Sequence, residues 1–319
     1  MSETQTTETK VHGSFAVAAS DSSKDEQLMV KLAYYLPPTV ARAPSIYDLE
    51  LINGSRDQDI VEVAMHDVRG KENQFKIDTH GFQYIKVDSK MHKDDFDYDE
   101  RIEESYFPEV EGWLKQLYPM AAKIHHLGHI VRGAVLQTDF SKPAPAWNKP
   151  NRGIAPAPRV HIDFTREGGF LVLAQAFGQE ESDAVRARGK RVLCFSVWRP
   201  LSVVKRDPLG VVDCNSVHEA DLYKLQRIFP DGAKGENVVV KANGQTLPES
   251  RPCHHKWHYM SEQTPQDVLV IKTSDTGDCD WETIPGGRVG CSPHASFALP
   301  GTEREHIRES VEVRCIIEL

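Results

Sequence analysis

The stretch RVLCFSVWRPLSVV, residues 191–204, decides the fold. It is a short, mostly apolar run of strand-forming residues, and it is one of a series. VHIDFT (160–165), GGFLVLAQAF (168–177), GVVDC (210–214), NVVVKA (237–242), KWHYM (256–260), DVLVIKTSD (267–275), SPHASFAL (292–299) and SVEVRCIIEL (310–319) lie on either side of it. Gly, Pro and Asp separate these runs, the punctuation expected between short strands. Only AQAFGQEESDAVRARGKR (174–191) and HEADLYKLQRIF (218–229) read as helical. Many short strands with few helices predict a β-sandwich or jelly-roll barrel rather than a doubly wound parallel sheet. Neither a P-loop nor a GxGxxG follows a strand; the Gly-rich candidates are isolated pairs such as Gly286-Gly287.

Toward the N-terminus the pattern continues. LMVKLAYYL (28–36), DIVEVAMHDV (59–68) and FKIDTHGFQYIKV (75–87) read as strands, with a tight turn expected at Asn53-Gly54. Residues 93–119 differ: Tyr106, Val110, Trp113, Leu114 and Leu117 share one helical face, and Pro119 ends the helix. AAKIHHLGHIVRGAVLQTDF (121–140) reads as strand, and the Pro-rich SKPAPAWNKPNRGIAPAPRV (141–160) as an extended loop. Residues 1–25, polar and rich in Ser, Thr and Glu, read as a frayed or disordered tail. The organisation expected is that tail followed by a single domain over 26–319 with an N-terminal strand and helix extension.

Composition narrows the function. The 319 residues hold 38 Lys+Arg against 47 Asp+Glu, a net charge of −9, which lacks the basic footprint of a nucleic-acid binder. No apolar run approaches the roughly 18 residues a spanning helix needs, and the N-terminus has no apolar signal region. The six cysteines (Cys194, Cys214, Cys253, Cys279, Cys291 and Cys315) show no CxxC pairing. Free thiols in a reducing cytoplasm are the expectation.

The chemistry lies in His161-Ile162-Asp163. Residues i and i+2 of a strand point to one face, so this imidazole and carboxylate can reach one point. Two histidines and one carboxylate, with open positions left on the metal, make the non-haem Fe(II) set. The second histidine must come from downstream, where His218, His254, His255, His258, His294 and His306 are available. His294 stands where a loop becomes a strand, and Arg308 follows 14 positions later, opening Arg308-Glu309-Ser310. An Arg fork and a hydroxyl on one strand face suit the distal carboxylate of 2-oxoglutarate. His254, His255 and His258 form a second group able to bind metal by itself, but without a matching Arg-x-Ser. Trp198 and Arg199, at the end of an apolar strand, could line the pocket or equally be packing and pairing residues; His129 and Arg132 in GHIVRG could also face the cavity, with packing or hydrogen bonding the favoured role.

These segments resemble the fungal and bacterial Fe(II)/2-oxoglutarate oxygenases typified by gibberellin desaturase and the cephem 7α-methoxylase component. The similarity runs over roughly residues 50–319. It is carried by DTHGFQYI (78–85), SYFPEVEGWLKQLYP (105–119), HIVRG (129–133), PAPRVHIDFT (156–165), FSVWRPLSVVKRDPLGVVD (195–213), DVLVIKTSD (267–275), HASFALP (294–300) and RESVEVR (308–314). One departure is Ser196, where the family pattern has Asn. The resemblance implies a mainly β fold with flanking helices, a double-stranded β-helix of the jelly-roll, cupin-like kind. It implies iron held by His161, Asp163 and His294, and 2-oxoglutarate held by Arg308 with Ser310; Arg314, on the same strand face, is the other candidate to contact co-substrate or substrate. The implied reaction couples oxidative decarboxylation of 2-oxoglutarate, giving succinate and CO2, to hydroxylation, desaturation or ring closure of a small secondary metabolite at a C–H bond. The partners expected are that small molecule and dioxygen, with neither nucleic acid nor membrane; a dimer is compatible with the pattern. A cupin-like metalloenzyme that does not use 2-oxoglutarate, and a non-catalytic β-sandwich binding protein, are the competing readings.

Overall fold

The computed structural model describes residues 27–36, 58–133, 151–152, 156–228, 232, 234–242, 253–277 and 289–319. The N-terminal tail, Asn53-Gly54 and most of the Pro-rich loop lie outside them. Fourteen strands are described: β1 (Leu28–Tyr35), β2 (Gln58–Asp67), β3 (Phe82–Lys86), β4 (Lys123–Arg132), β5 (Asn151–Arg152), β6 (His161–Ile162), β7 (Val192–Pro200), β8 (Leu209–Val212), β9 (Leu222–Ile228), β10 (Lys234–Val240), β11 (Trp257–Tyr259), β12 (Asp267–Asp275), β13 (His294–Ser296) and β14 (Ser310–Glu318). They form an eight-stranded sheet in the order β1-β2-β11-β8-β13-β6-β10-β9 and a six-stranded sheet in the order β3-β12-β7-β14-β4-β5. Pairing is antiparallel except at β2–β11 and β4–β5. One apolar cluster joins Leu209 and Val211 of β8 to Trp198 of β7 and Leu269 and Ile271 of β12, so the sheets face each other across a shared core. The architecture is the jelly-roll double-stranded β-helix.

Alternation in the six-stranded sheet divides its residues between two environments. Leu193, Phe195 and Val197 of β7, Val268 and Val270 of β12, and Val311, Val313, Cys315 and Ile317 of β14 all enter one cluster outside the barrel. Their neighbours Ser196, Trp198, Ile271, Glu312 and Arg314 line the cavity inside it. Period-2 geometry alone produces this division.

The outer cluster is covered by residues 93–119. There the expected helix is broken into a 3-10 turn, a helical turn, the π turn Ile102–Tyr106 and α1 (Phe107–Leu117). Ile102, Tyr106, Val110 and Leu114, four apart, are each fully buried against the sheet. Leu114 also accepts the N–H of Tyr118, which ends the helix just before Pro119.

Three sequence expectations are corrected. GGFLVLAQAF is not a strand but most of the helix α2 (Arg166–Phe177), followed by α3 (Gln179–Ala187). Thr165 caps α2, its side-chain oxygen accepting the Gly168 N–H at 2.8 Å. Apolar residues surround α2 on several sides, so it has no amphipathic stripe to read. Its glycines allow close approach: a Cβ on Gly168 would lie 2.0 Å from the Glu236 carbonyl oxygen, and one on Gly169 2.8 Å from Cys194 Sγ. HEADLYKLQRIF is not an α-helix: Glu219–Asp221 make a single 3-10 turn, and the residues after it supply the edge strand β9, paired in register with β10 over Leu222–Ile228. Backbone pairing outweighs the helix propensity of that segment. Within FKIDTHGFQYIKV, Ile77–His80 forms a single helical turn that ends at Gly81, whose φ is 80°, and only then does β3 begin.

Candidate active site

β6 and β13 are neighbours in the middle of the eight-stranded sheet, and their register sets His294 directly opposite His161. The two rings have centroids 4.5 Å apart. His161 Nδ1 lies 2.7 Å from the Arg159 carbonyl oxygen, and His294 Nδ1 lies 3.3 Å from that of Ser292. A carbonyl can only accept, so each ring donates through Nδ1 and turns its Nε2 inward. Asp163 completes the group: its Oδ1 is 3.7 Å from His161 Nε2 and its Oδ2 is 3.8 Å from His294 Nε2. Oδ2 is buried and has no hydrogen-bond partner. The chain thus brings together three donor atoms from two distant segments around one point.

Electrostatics keep Asp163 and His294 in the state a cation requires. Burial raises the Asp163 carboxyl, but Arg314 and the two imidazoles outweigh it and hold it well below the usual carboxylate range. Burial, followed by His161, pushes His294 down to about 4, so it is neutral near pH 7.

Around this point lies a small cavity lined by Arg132, Ala157, His161, Ser196, Trp198, Leu209, Ile271, His294, Arg308, Glu312 and Arg314. Arg308 is 3% exposed. Its Nη1 donates to the Asp207 carbonyl at 2.8 Å, its Cζ stands 5.0 Å from the centre of the Trp198 ring, and its Nε has no partner. Asp207 has a φ of 52°, a left-handed conformation that a non-glycine residue adopts at a cost of about 1 kcal/mol. Its carbonyl also accepts from Ser296 Oγ at 3.1 Å. Ser310, at the start of β14, is fully buried with an unpartnered hydroxyl.

Arg314 sits differently. Its Nη2 reaches Asp163 Oδ1 at 3.0 Å and its Nε reaches Glu312 Oε1 at 2.8 Å. Glu312 also accepts from Ser196 Oγ at 2.7 Å, and Arg132 approaches it at 3.9 Å. Arg314 is therefore occupied by carboxylates of the chain itself. Arg132 and Trp198 line the cavity. The structure does not bring Arg199 there: one residue beyond Trp198 on β7, it points to the outer face. Its guanidinium donates to the Pro265 carbonyl (2.8 Å), Ser89 Oγ (3.0 Å) and the Met91 carbonyl (3.2 Å), and lies near Phe96 and Tyr106. Glu312, Ser296 and Asp207 were not singled out by sequence reasoning, and Ser196 was noted only as a departure from the family pattern. For Glu312 the signal was present, since it alternates with Ser310 and Arg314 along β14.

The family profile described as Oxidoreductase/YMDC permease-like domain matches residues 24–318. Over 288 residues the chain is 32% identical to alpha-ketoglutarate-dependent dioxygenase phiK of a fungal species (strain ATCC 74256), covering 90% of this chain and 94% of that one. This chain belongs to the Fe(II)/2-oxoglutarate-dependent dioxygenases. The gibberellin cluster GA4 desaturase of Gibberella fujikuroi is 27% identical over 93% of this chain and 97% of its own. Among solved structures, the iron and alpha-ketoglutarate-dependent endoperoxidase NvfI superposes with a TM-score of 0.67 at 23% identity, covering 91% of this chain and 97% of that one, a likeness of fold. No helix among the described residues is long and apolar enough to cross a membrane.

The dioxygenase family uses Fe(II) with 2-oxoglutarate as co-substrate, and acts on small molecules with dioxygen. The residues present fit both groups. Two inward Nε2 atoms and an orphaned carboxylate oxygen match an iron(II) donor set. A buried guanidinium with an unpartnered Nε at the cavity wall matches a carboxylate, and Ser310, two residues along the chain, carries a buried unpartnered hydroxyl.

Proposed function

We propose that His161, Asp163 and His294 hold the iron, and that Arg308 and Ser310 hold the distal carboxylate of 2-oxoglutarate. When bound, the iron and 2-oxoglutarate supply the oxidising power for attack on an unactivated C–H bond. The chain supplies the rest. The carbonyls of Arg159 and Ser292 orient the two imidazoles. Arg314 occupies Asp163 Oδ1 and leaves Oδ2 for the metal. Arg308 presents a fixed cation where the far end of the co-substrate would arrive, its position set by the Asp207 carbonyl and the Trp198 ring. Trp198, Ile271 and Leu209 give the cavity an apolar wall that excludes water from the reacting carbon, and Arg132 offers a cation for a polar group of the substrate.

The reaction we infer is hydroxylation or desaturation of a small secondary metabolite, with ring closure as a further outcome of the second hydrogen loss, releasing succinate and CO2. Relatives named hydroxylase/desaturase and endoperoxidase support that range. The proposal extends to one oxygenase domain over residues 26–319 working in the cytoplasm, without nucleic acid or membrane; a dimer is compatible with it.

The observation that carries the reading is the convergence of two Nε2 atoms and the unpartnered Asp163 Oδ2. Anaerobic titration with Fe(II) and 2-oxoglutarate tests it. A weak visible charge-transfer band is expected in the wild type and absent in His161→Ala; a band of undiminished intensity in that variant overturns the assignment.

A further inference from the structure

A second group of donors lies outside the barrel cavity. Asp221, in the turn before β9, meets His254 and His255, in the segment before β11. Sequence proximity groups His254 and His255 with His258, but the structure separates them: the His258 ring packs against Phe75, Phe82 and His66. Its place is taken by a carboxylate more than thirty residues upstream.

The geometry is unusual for simple hydrogen bonding. Asp221 Oδ2 lies 3.0 Å from His254 Nε2, 3.1 Å from His255 Nε2 and 2.8 Å from the backbone nitrogen of His218. A carboxylate oxygen offers about two lone-pair sites, and three nitrogens crowd this one. A small cation between Oδ2 and the two imidazole nitrogens, with the His218 N–H kept on the other lone pair, removes the excess. Neighbouring donors around tetrahedral zinc stand about 3.3 Å apart, given bonds of 2.0–2.1 Å, close to the spacings observed.

The surroundings are those of a held metal ligand. His255 and Asp221 have side chains 0% and 2% exposed, whereas the His254 side chain is 32% exposed and gives an ion a way in. The other ring nitrogen of His255 is fixed: Nδ1 stands 3.0 Å from Tyr34 Oη, which itself accepts from Trp257 Nε1 at 2.8 Å. An imidazole oriented through its far nitrogen is the usual support of a metal-bound histidine.

We propose that Asp221, His254 and His255 form a second, structural divalent-cation site suited to Zn²⁺, separate from the iron site and tying the segment before β11 to the turn before β9. Two imidazoles and one carboxylate with a solvent position match zinc. Bound there, the ion would stabilise the folded chain by mass action.

The test uses the full-length chain carrying His161→Ala and His294→Ala, which removes the iron site from the count, and compares it with the wild type. Both are stripped with chelator and titrated with Zn²⁺ against a chromophoric competitor, and separately with Co²⁺. The expected result is one Zn²⁺ per chain in the iron-site variant, the intense visible bands of tetrahedral Co²⁺, and a rise in melting temperature on zinc addition. Adding His254→Ala, at a part-exposed position, is expected to weaken zinc binding at least about 100-fold. Asp221→Asn should do the same. If the iron-site variant does not fold, zinc retention by the wild type already loaded with one Fe(II) gives the same count. No zinc held against the competitor, or uptake unaffected by His254→Ala, overturns the proposal and leaves the cluster a set of hydrogen-bonded side chains.

Discussion

Replacing Arg308 by Gln tests which cation holds the co-substrate. Arg308 is 3% exposed, its Nε is unpartnered, and no described carboxylate forms an ion pair with it, which suits the proposed carboxylate of the co-substrate. Arg314, the other candidate, is already paired with Asp163 and Glu312. Truncating one member of a buried, hydrogen-bonded charge pair costs about 2–5 kcal/mol. A middle value of about 3 kcal/mol corresponds to roughly 150-fold weaker binding. Arg308→Gln is therefore expected to raise the Kd of 2-oxoglutarate about 150-fold, read from the charge-transfer band at saturating Fe(II), with iron affinity unchanged. Arg308→Lys keeps the charge and loses the fork, so an intermediate loss is expected. Arg314→Gln should instead weaken iron binding, because Asp163 loses the partner that fixes Oδ1. A Kd within about threefold of wild type for Arg308→Gln, with the large loss falling on Arg314→Gln, would refute this assignment.

Arg199→Ala removes three hydrogen bonds, to the Pro265 carbonyl before β12 and to Ser89 and Met91 just ahead of the covering segment, so a stability loss of about 3 kcal/mol is expected in urea unfolding, with the Kd of 2-oxoglutarate unchanged. Gly168→Ala drives a methyl against the Glu236 carbonyl and should cost about 1–3 kcal/mol in the same assay. Burial, and then His66, pushes the His258 imidazole down to about 4. As pH falls from about 6.5 toward 4, the unfolded chain takes up a proton that folded His258 refuses, so stability is lost over that window. The melting temperature of His258→Phe should fall less steeply across it than that of the wild type; parallel curves would exclude His258 as a source of the acid sensitivity.

The sequence carried the barrel because its strands are short, alternating and punctuated. The period of two in SVEVRCIIEL already separates Ser310, Glu312 and Arg314 from Val311 and Val313, and the structure follows that division for Glu312 and Arg314, which line the cavity, and for Val311 and Val313, which enter the outer cluster. The same rule, applied to Trp198 and Arg199, shows that adjacent strand residues cannot both line one cavity. What escaped were elements whose state is decided by contacts rather than pattern. α2 is buried on several sides and has no stripe, and β9 is an edge strand held by β10 against its own helical tendency. In the site, HxD with a distant histidine was legible because strand geometry makes i and i+2 converge. Asp207 and Ser296 were not, since they act through backbone position: a left-handed carbonyl that anchors Arg308, and a hydroxyl that steadies it. The meeting of Asp221 with His254 and His255 depends on how the strands are ordered, which no local spacing encodes.

Iron anomalous diffraction from crystals loaded anaerobically with Fe(II) and 2-oxoglutarate tests the central claim most directly. The expected result is one strong peak at bonding distance from His161 Nε2, His294 Nε2 and Asp163 Oδ2, with the distal carboxylate of 2-oxoglutarate against Arg308. Iron bound elsewhere, with those three atoms left uncoordinated, would contradict it.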